Sequence, residues 1–181
     1  MTRLLRHLIA SACAFALCTG LAAGASADVS SWLYTGVGPA FTQQNNQSDQ
    51  RLVLDLQTGM GTDPRWPLGV GGVFKLPIHF GGGTDLGLAA RFATRGFNFG
   101  DFGFAFDVGG YQRWWGLAST GVSGALVLGA PWGITLSASA LQGSHDTQEA
   151  CITLGIDFAR LTVHRTTGNG WWKNIVLPNS R

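Results

Sequence analysis

Residues 101–113 read Asp-Phe-Gly-Phe-Ala-Phe-Asp-Val-Gly-Gly-Tyr-Gln-Arg, and their two alternating sets of side chains cannot face the same medium. Alternate side chains of a β-strand point to opposite faces. One set is wholly apolar, whereas the other mixes small residues with charges of both signs. A strand that lies between lipid and a polar barrel lumen has this pattern. The apolar set is Phe102, Phe104, Phe106 and Val108.

The composition is unusual for a soluble protein. Of the 181 residues, 12% are charged and 45% are hydrophobic, whereas soluble domains carry about 25% charged residues. These charges are too few to cover the water-facing surface of one domain. Disorder would need low hydrophobicity and high net charge, and the formal net charge is only +2. Because no strong basic field is present, we expect no binding to nucleic acid.

The N-terminus has the features of a secretory signal peptide. Arg3 and Arg6 precede an apolar run over residues 8–21, and Ala25-Ser26-Ala27 supplies the small residues that signal peptidase accepts. We therefore expect residues 1–27 to be removed on export. A retained transmembrane anchor is the alternative, but the run is short and rich in Ala, Gly and Ser.

Cleavage would change the cysteine content of the protein. Cys13 and Cys18 lie in the expected signal peptide, so Cys151 would be the sole cysteine of the exported chain. No internal disulfide could then form. Stability must come from the strands themselves.

Eight segments between residues 31 and 164 have strand character, and none has convincing helical periodicity. Clusters of Gly, Pro, Asn and Asp separate them. We expect residues 43–50 and 143–149 to be solvated polar loops and residues 165–181 to be a tail without strands. The segments cover residues 31–41, 51–60, 68–80, 85–95, 101–113, two pieces of 114–142 on either side of 130–133, and 150–164.

The region 114–142 carries no charge, so a transmembrane helical hairpin is an alternative there. Ala130-Pro131-Trp132-Gly133 divides it into two short pieces. A membrane-spanning helix needs about 20 residues, whereas a tilted barrel strand needs about 9–11. The lengths therefore favour two strands.

The charges of the strand segments fall on the side-chain set opposite the large apolar residues. That set is otherwise mostly Gly, Ala, Ser and Thr, which fit the narrow lumen of an eight-stranded barrel. Its acids and bases balance, and we expect them to pair, because an unpaired buried charge is costly. The expected lumen charges are Arg51, Asp55, Lys75, Asp85, Arg91, Arg95, Asp101, Asp107, Arg113 and Asp157.

The apolar set is expected to face lipid, and tryptophans are expected to mark the two membrane interfaces. If the barrel starts in the periplasm, Trp32, Trp66 and Trp132 fall at one rim. Trp114 and Trp115 fall at the other rim. The expected lipid-facing residues include Leu54, Phe74, Phe92, Phe102, Phe104, Phe106, Leu126 and Ile156.

An export signal followed by eight alternating segments resembles the small outer-membrane β-barrels of the OmpA/OmpX type. The resemblance covers nearly the whole exported chain, although no particular motif of those families is matched. It implies an all-β protein, an eight-stranded antiparallel up-and-down transmembrane β-barrel over residues 28–164, in the bacterial outer membrane. The implied partners are outer-membrane lipid and the barrel-assembly machinery during biogenesis.

Two short stretches contain residue types used in catalysis. Ser144-His145-Asp146 lies in a presumed outer loop, but adjacent residues rarely align as nucleophile, base and orienting acid. His164, with Thr166, Thr167 and Asn169 after it, is weakly similar to the His-x-Ser arrangement of outer-membrane lipid A deacylases, with Thr in place of Ser. His145 and His164 are therefore weak catalytic candidates.

The sequence contains no pattern that indicates a cofactor. Lys75 and His79 share one expected lumen face, yet a lumen ion-pair network explains them without a metal. We therefore expect neither metal nor cofactor, and a non-catalytic outer-membrane barrel with a structural or surface-interaction role. The alternatives are a lipid A deacylase-like enzyme and a soluble periplasmic lipocalin-like barrel that binds an apolar ligand.

Overall fold

A computed structural model describes residues 29–162 of the chain. Eight strands form a closed antiparallel barrel, in which each strand pairs with its sequence neighbours and β1 pairs with β8. The predicted eight-stranded up-and-down barrel is confirmed. The expected signal peptide and tail lie outside the described residues. The strands are β1 (Ser30–Gln44), β2 (Gln47–Gly61), β3 (Leu68–His79), β4 (Asp85–Thr94), β5 (Gly103–Arg113), β6 (Ser119–Gly129), β7 (Ile134–Gly143) and β8 (Thr147–Asp157).

The two ends of the barrel differ. At one end, called the mouth end, lie the connections 45–46, 80–84, 114–118 and 144–146. At the other, called the terminal end, β1 begins and β8 ends. The terminal end also carries two short helices, α1 (Arg95–Asn98) and α2 (Phe158–Thr162), and one 3-10 turn, Pro131–Gly133. No helix within residues 29–162 combines the length and apolarity needed to cross a membrane.

Side-chain alternation assigns opposite chemistry to the two faces of the wall. Within the eight strands, every Asp, Glu, Lys and Arg lies on the inward phase, and the outward phase is uncharged. The first part of β5 shows the rule, because Phe104 and Phe106 are exposed while Ala105 and Asp107 are buried. The polar set therefore fills the lumen and the apolar set covers the outside.

The segment 43–50 is not the loop that its polar composition predicted. Strand β1 continues to Gln44 and β2 begins at Gln47, so only Asn45 and Asn46 form the turn. Both have positive φ, 47° and 60°, which the two-residue hairpin turn requires and asparagine tolerates. Pairing of β2 with β3 stops at Val53 and His79. Strand β2 therefore extends beyond its pairing with β3, whereas β1 stays paired with β8 as far as Gln43 and Gln148.

The loop predicted over residues 143–149 is also shorter in the structure. Strand β7 reaches Gly143 and β8 begins at Thr147, which leaves a three-residue turn. The segment predicted over residues 150–164 ends as a strand at Asp157, because helix α2 begins at Phe158. Local polarity therefore misled the prediction, since strand pairing extends past the apolar part of the wall.

The turn between β2 and β3 lies in the predicted position. The backbone N–H of Arg65 donates to Asp63 Oδ1 at 2.8 Å, and Arg65 Nε contacts both carboxylate oxygens at 3.0 Å. These hydrogen bonds hold the pKa of Asp63 below its ordinary value.

Candidate functional site

The middle of the lumen holds a buried charge network centred on Asp107. Arg91 lies directly opposite Asp107 on the β4–β5 pair and donates to it from Nε at 2.7 Å and Nη2 at 2.8 Å. Lys75 Nζ lies 2.7 Å from the same carboxylate. Arg91 Nη2 also donates to Gln57 Oε1, and Gln57 Nε2 donates to Asp55 Oδ2, both at 2.7 Å. The network links strands β2 to β5 across the lumen.

A second cluster, the mouth cluster, lies nearer the mouth end. Arg113 Nη2 donates to Asp85 Oδ2 and Glu149 Oε2, each at 2.6 Å. His79 Nε2 lies 3.1 Å from Glu149 Oε1. Trp115 Nε1 donates to Asp85 Oδ1 at 2.8 Å. These contacts join β3, β4, β5 and β8 beneath the mouth, and all but Trp115 are buried.

Three members of the mouth cluster could offer ligand atoms to a metal ion. The candidate ligand atoms of His79, Asp85 and Glu149 all lie within 4.8 Å of one another. Arg113, however, places its own positive charge between the two carboxylates. Thr42 Oγ1 also donates to Glu149 Oε2 at 2.7 Å. The carboxylates are thus engaged by donors of the protein, and a cation would have to displace Arg113.

The terminal end is closed by a packed plug of aromatic and polar side chains. Trp32, Phe97 and Arg160 are each no more than 1% exposed. The Arg160 guanidinium lies 4.5 Å from the centre of the Phe97 ring, and Arg91 lies 5.3 Å from that of Trp32. Trp32 Nε1 also donates to Asn98 Oδ1 at 3.3 Å.

Arg160 holds the plug to several parts of the wall. Its guanidinium donates to the carbonyl oxygens of Phe97 at 2.8 Å and Asp101 at 2.7 Å, and to Thr135 Oγ1 at 3.1 Å. Burial lowers the pKa of Arg160 from its ordinary value, against the opposing charge of Asp157. The side chain therefore connects α2 to α1 and to strand β7.

The structure brings most of the expected lumen charges together, with four corrections. Arg51 lies at the mouth, where Nε pairs with Asp49 Oδ2 at 2.6 Å. Arg95 is exposed on α1, and Asp101 precedes β5. Asp157 is buried but caps a helix, because Oδ1 accepts from the backbone N–H groups of Ala159 and Arg160. The charges inside the network or the mouth cluster are Asp55, Lys75, Asp85, Arg91, Asp107 and Arg113.

The residues predicted to face lipid all lie on the outward side of the wall. Two of them are partly buried among their neighbours, and the remainder are exposed by 37% to 78%. Phe102 precedes β5 rather than belonging to it. The partly buried residues are Leu54 and Phe74, and the exposed ones are Phe92, Phe102, Phe104, Phe106, Leu126 and Ile156.

The tryptophan prediction needs two corrections. Trp66 and Trp132 are exposed at the terminal end and Trp114 at the mouth end, by 50% to 62%. Trp32, predicted to lie at an interface, instead points inward and is 1% exposed. Gly61 leaves room for it, because a Cβ there would approach the indole to 2.7 Å. Trp115 also turns inward, towards Asp85.

The Ser144-His145-Asp146 stretch forms the β7–β8 turn. His145 and Asp146 adopt positive φ, 58° and 50°. Ser144 Oγ accepts a hydrogen bond from the Thr120 backbone N–H at 3.2 Å. Within residues 29–162, no side-chain hydrogen bond joins the three residues. His164 lies outside the described residues.

Glu149 is the main lumen residue that the sequence prediction missed. It was assigned to a polar loop, although the alternation of Ile152 and Leu154 could have been extended backwards. That extension places Ala150 and Gln148 outside and Glu149 inside, as the structure does. Trp115 carried no such signal, because it lies in a connection rather than a strand.

No family model and no curated protein matches the sequence. Among solved structures, the chain is similar to Ail, the attachment invasion locus protein of Yersinia pestis, in complex with the heparin analogue sucrose octasulfate. The identity is 11% and the TM-score 0.47, over 72% of this chain and 97% of that chain. The fold assignment therefore depends on the strand pairing described above.

Proposed function

We propose that the protein is an integral outer-membrane β-barrel with a non-catalytic structural or surface-interaction role. The observation that carries the proposal is the uncharged outward face of all eight strands. Water would favour charge on that face, whereas lipid excludes it. The strands have 10 to 15 residues, enough to cross a bilayer at a tilt.

The inward face argues against a soluble barrel with an apolar ligand. Such a protein would place apolar side chains inside and polar ones in water. Here Arg91, Asp107 and Arg113 are at most 1% exposed inside the barrel, while Phe104 is 54% exposed outside. The polar and apolar faces are therefore exchanged relative to a lipocalin-like barrel, and the outward face suits contact with lipid.

The lumen also favours a structural rather than a channel role. Between the central network and the mouth cluster lies a cavity of about 50 Å³, which holds a few waters at most. The plug with Trp32 and Phe97 closes the terminal end. In the proposed topology the termini lie in the periplasm, the mouth faces the outside, and outer-membrane lipid and the barrel-assembly machinery are partners.

Cell fractionation combined with gel electrophoresis tests this proposal. We expect the protein in the outer-membrane fraction, and we expect unheated and boiled samples to migrate differently, because folded barrels resist detergent until heated. A soluble periplasmic protein of similar mass, released by osmotic shock, is the control. Release of this protein with that control, together with identical migration of both samples, would contradict the proposal.

A further inference from the structure

The mouth end encloses a vestibule of about 500 Å³ above the mouth cluster. This volume lies within the range of about 300–1,000 Å³ that small-molecule sites occupy. The inner face of the β1–β2 hairpin forms one wall, and the β3–β4 and β5–β6 connections form the others. Because the plug closes the terminal end, the vestibule is the open part of the lumen among the described residues.

The vestibule is lined by planar polar side chains with no net charge. Asp49 and Arg51 are its charged residues in the described part of the chain, and they pair with each other at 2.6 Å. Asn45 and Gln47 add exposed amides that make no side-chain hydrogen bond within residues 29–162. Amides donate and accept hydrogen bonds, carboxylates accept them and guanidinium groups donate them, each close to the plane of the group. Such a set suits a ligand with many neutral hydroxyl groups.

The walls are held in place before any ligand binds. Gln44 Nε2 donates to the Leu117 carbonyl and to Thr147 Oγ1, both at 2.8 Å, which ties the hairpin to the β5–β6 connection and to β8. Trp115 is fixed by its bond to Asp85, and the Arg51 guanidinium lies 5.0 Å from its ring centre. A site ordered in advance loses less entropy on binding.

The electrostatics beneath the vestibule disfavour an anionic ligand. The mouth cluster contains two carboxylates, Asp85 and Glu149, and one guanidinium, Arg113. A polyanion would therefore meet a neutral vestibule above a cluster in which carboxylates outnumber guanidinium groups. A neutral ligand avoids this repulsion and the cost of desolvating its own charge.

We infer that the vestibule binds a neutral sugar, through the planar groups of Asn45, Gln47, Asp49 and Arg51, with Leu117 as the apolar wall. Sugars present adjacent hydroxyl pairs that both donate and accept, and they also have apolar C–H faces. Gly82 lets the Arg51 guanidinium pack against the β3–β4 connection, because a Cβ there would collide with it. The inference rests on the proposed function, since the mouth meets external sugars if the barrel spans the outer membrane.

Saturation-transfer NMR on the full exported chain, folded in detergent, tests the site. The probes are neutral trisaccharides of glucose, galactose, mannose or N-acetylglucosamine, the core oligosaccharide of lipopolysaccharide, and dextran sulfate. We expect transfer to at least one neutral sugar. Transfer to a free trisaccharide supports the site and identifies an external glycan as the source. Transfer to the core oligosaccharide alone, which carries carboxylate and phosphate groups, would contradict a neutral ligand.

Substitutions locate the binding. Gln47→Ala removes one amide and is expected to weaken affinity about fivefold, the loss of one hydrogen bond. Gln148→Ala, on the outward face of β8, is the matched control and should leave affinity unchanged. Asp49→Asn leaves Arg51 unpaired, so it should reduce sugar affinity and increase retention of dextran sulfate.

Several results would overturn the inference. They are no transfer to any neutral sugar, stronger binding of dextran sulfate than of sugars by the unsubstituted protein, or equal affinity of the Gln47→Ala variant. The gel shift between unheated and boiled samples is measured on each preparation first. A preparation that shows the shift but binds no sugar disproves the site without affecting the proposed membrane barrel, whereas a missing shift counts against the barrel itself.

Discussion

Arg91 and Asp107 are direct neighbours across the β4–β5 pair, and two hydrogen bonds of 2.7 and 2.8 Å join them inside the lumen. Both side chains are 1% exposed. Lys75 Nζ also lies 2.7 Å from Asp107 Oδ2, so one carboxylate balances two cations. Asp55, linked to Arg91 through Gln57, supplies the second negative charge. The central network is therefore balanced in formal charge, and its members depend on one another.

Asp107→Ala should strongly destabilise the barrel. It leaves Arg91 and Lys75 buried without their shared carboxylate, and breaking a buried pair in this way costs about 3–5 kcal/mol. Urea unfolding of the protein folded into phospholipid vesicles would measure the loss.

The control for this substitution replaces the whole group. A quadruple variant with Asp55→Asn, Lys75→Met, Arg91→Met and Asp107→Leu removes the four charges together and should lose less stability than Asp107→Ala alone. If Asp107→Ala unfolds at the same urea concentration as the unsubstituted protein, Asp107 does not hold the network.

Arginine substitutions on the outer wall test its contact with lipid at two depths. Phe106 lies in the apolar outward row of β5, between Phe92 and Leu126 of the neighbouring strands. Phe106→Arg should cost about 2–4 kcal/mol, as expected near the bilayer midplane. Gln148→Arg, on the outward face near the mouth, should cost at most about 1 kcal/mol.

Urea unfolding of the vesicle-bound variants measures both losses in the free energy of unfolding. The difference between the two losses tests the contact with lipid. Equal and small losses at Phe106 and Gln148 would mean that the apolar wall does not lie in lipid. Phe106→Leu, which keeps the position apolar, separates the effect of charge from the loss of the aromatic ring.

Alternation along the strands was sufficient to predict the barrel, because each face of the wall meets one medium. Phe104 and Phe106 lie on the face opposite Asp107, and this alternation predicts both that the segment is a strand and which of its faces points into the lumen. The same rule predicted that Arg113 and Asp85 lie inside, although their partnership with Glu149 required the register of five strands. Pairing between distant strands has no local signal in the sequence.

Two predictions were wrong because they followed the composition of a segment and not the alternation of its side chains. The polar run 43–50 suggested a loop, but its side chains line a vestibule on one side and meet the outside on the other. Trp32 suggested an interface because tryptophans collect there. Its phase, shared with the buried Tyr34, indicates the lumen, where Gly61 makes room for the indole.

Arg160→Met should loosen the plug at the terminal end. The guanidinium donates to Phe97, Asp101 and Thr135, and its loss removes these three hydrogen bonds from the buried plug. We expect a loss of about 2 kcal/mol or more in the free energy of unfolding. Arg160→Lys keeps the charge but not the planar fork, so its loss should be intermediate.

The matched control is Arg95→Met on helix α1. Arg95 is exposed and lies 5.3 Å from the Phe99 ring centre, so its removal should change stability little. Equal losses for Arg95→Met and Arg160→Met would show that Arg160 has no special role in closing the barrel.

Cys151 should resist thiol reagents in the folded barrel and react on unfolding. It is 8% exposed and packs with Ala40 and Val53 inside the lumen. A maleimide needs access to the sulfur, and burial denies it until the strands separate. Intact mass spectrometry after a timed reaction would count the label and also show whether Cys13 and Cys18 left with residues 1–27.

A Ser48→Cys variant with Cys151→Ala places the thiol on the exposed β1–β2 hairpin and should be labelled while folded. Labelling of Cys151 at the same rate as Ser48→Cys would mean that the lumen is open at that depth.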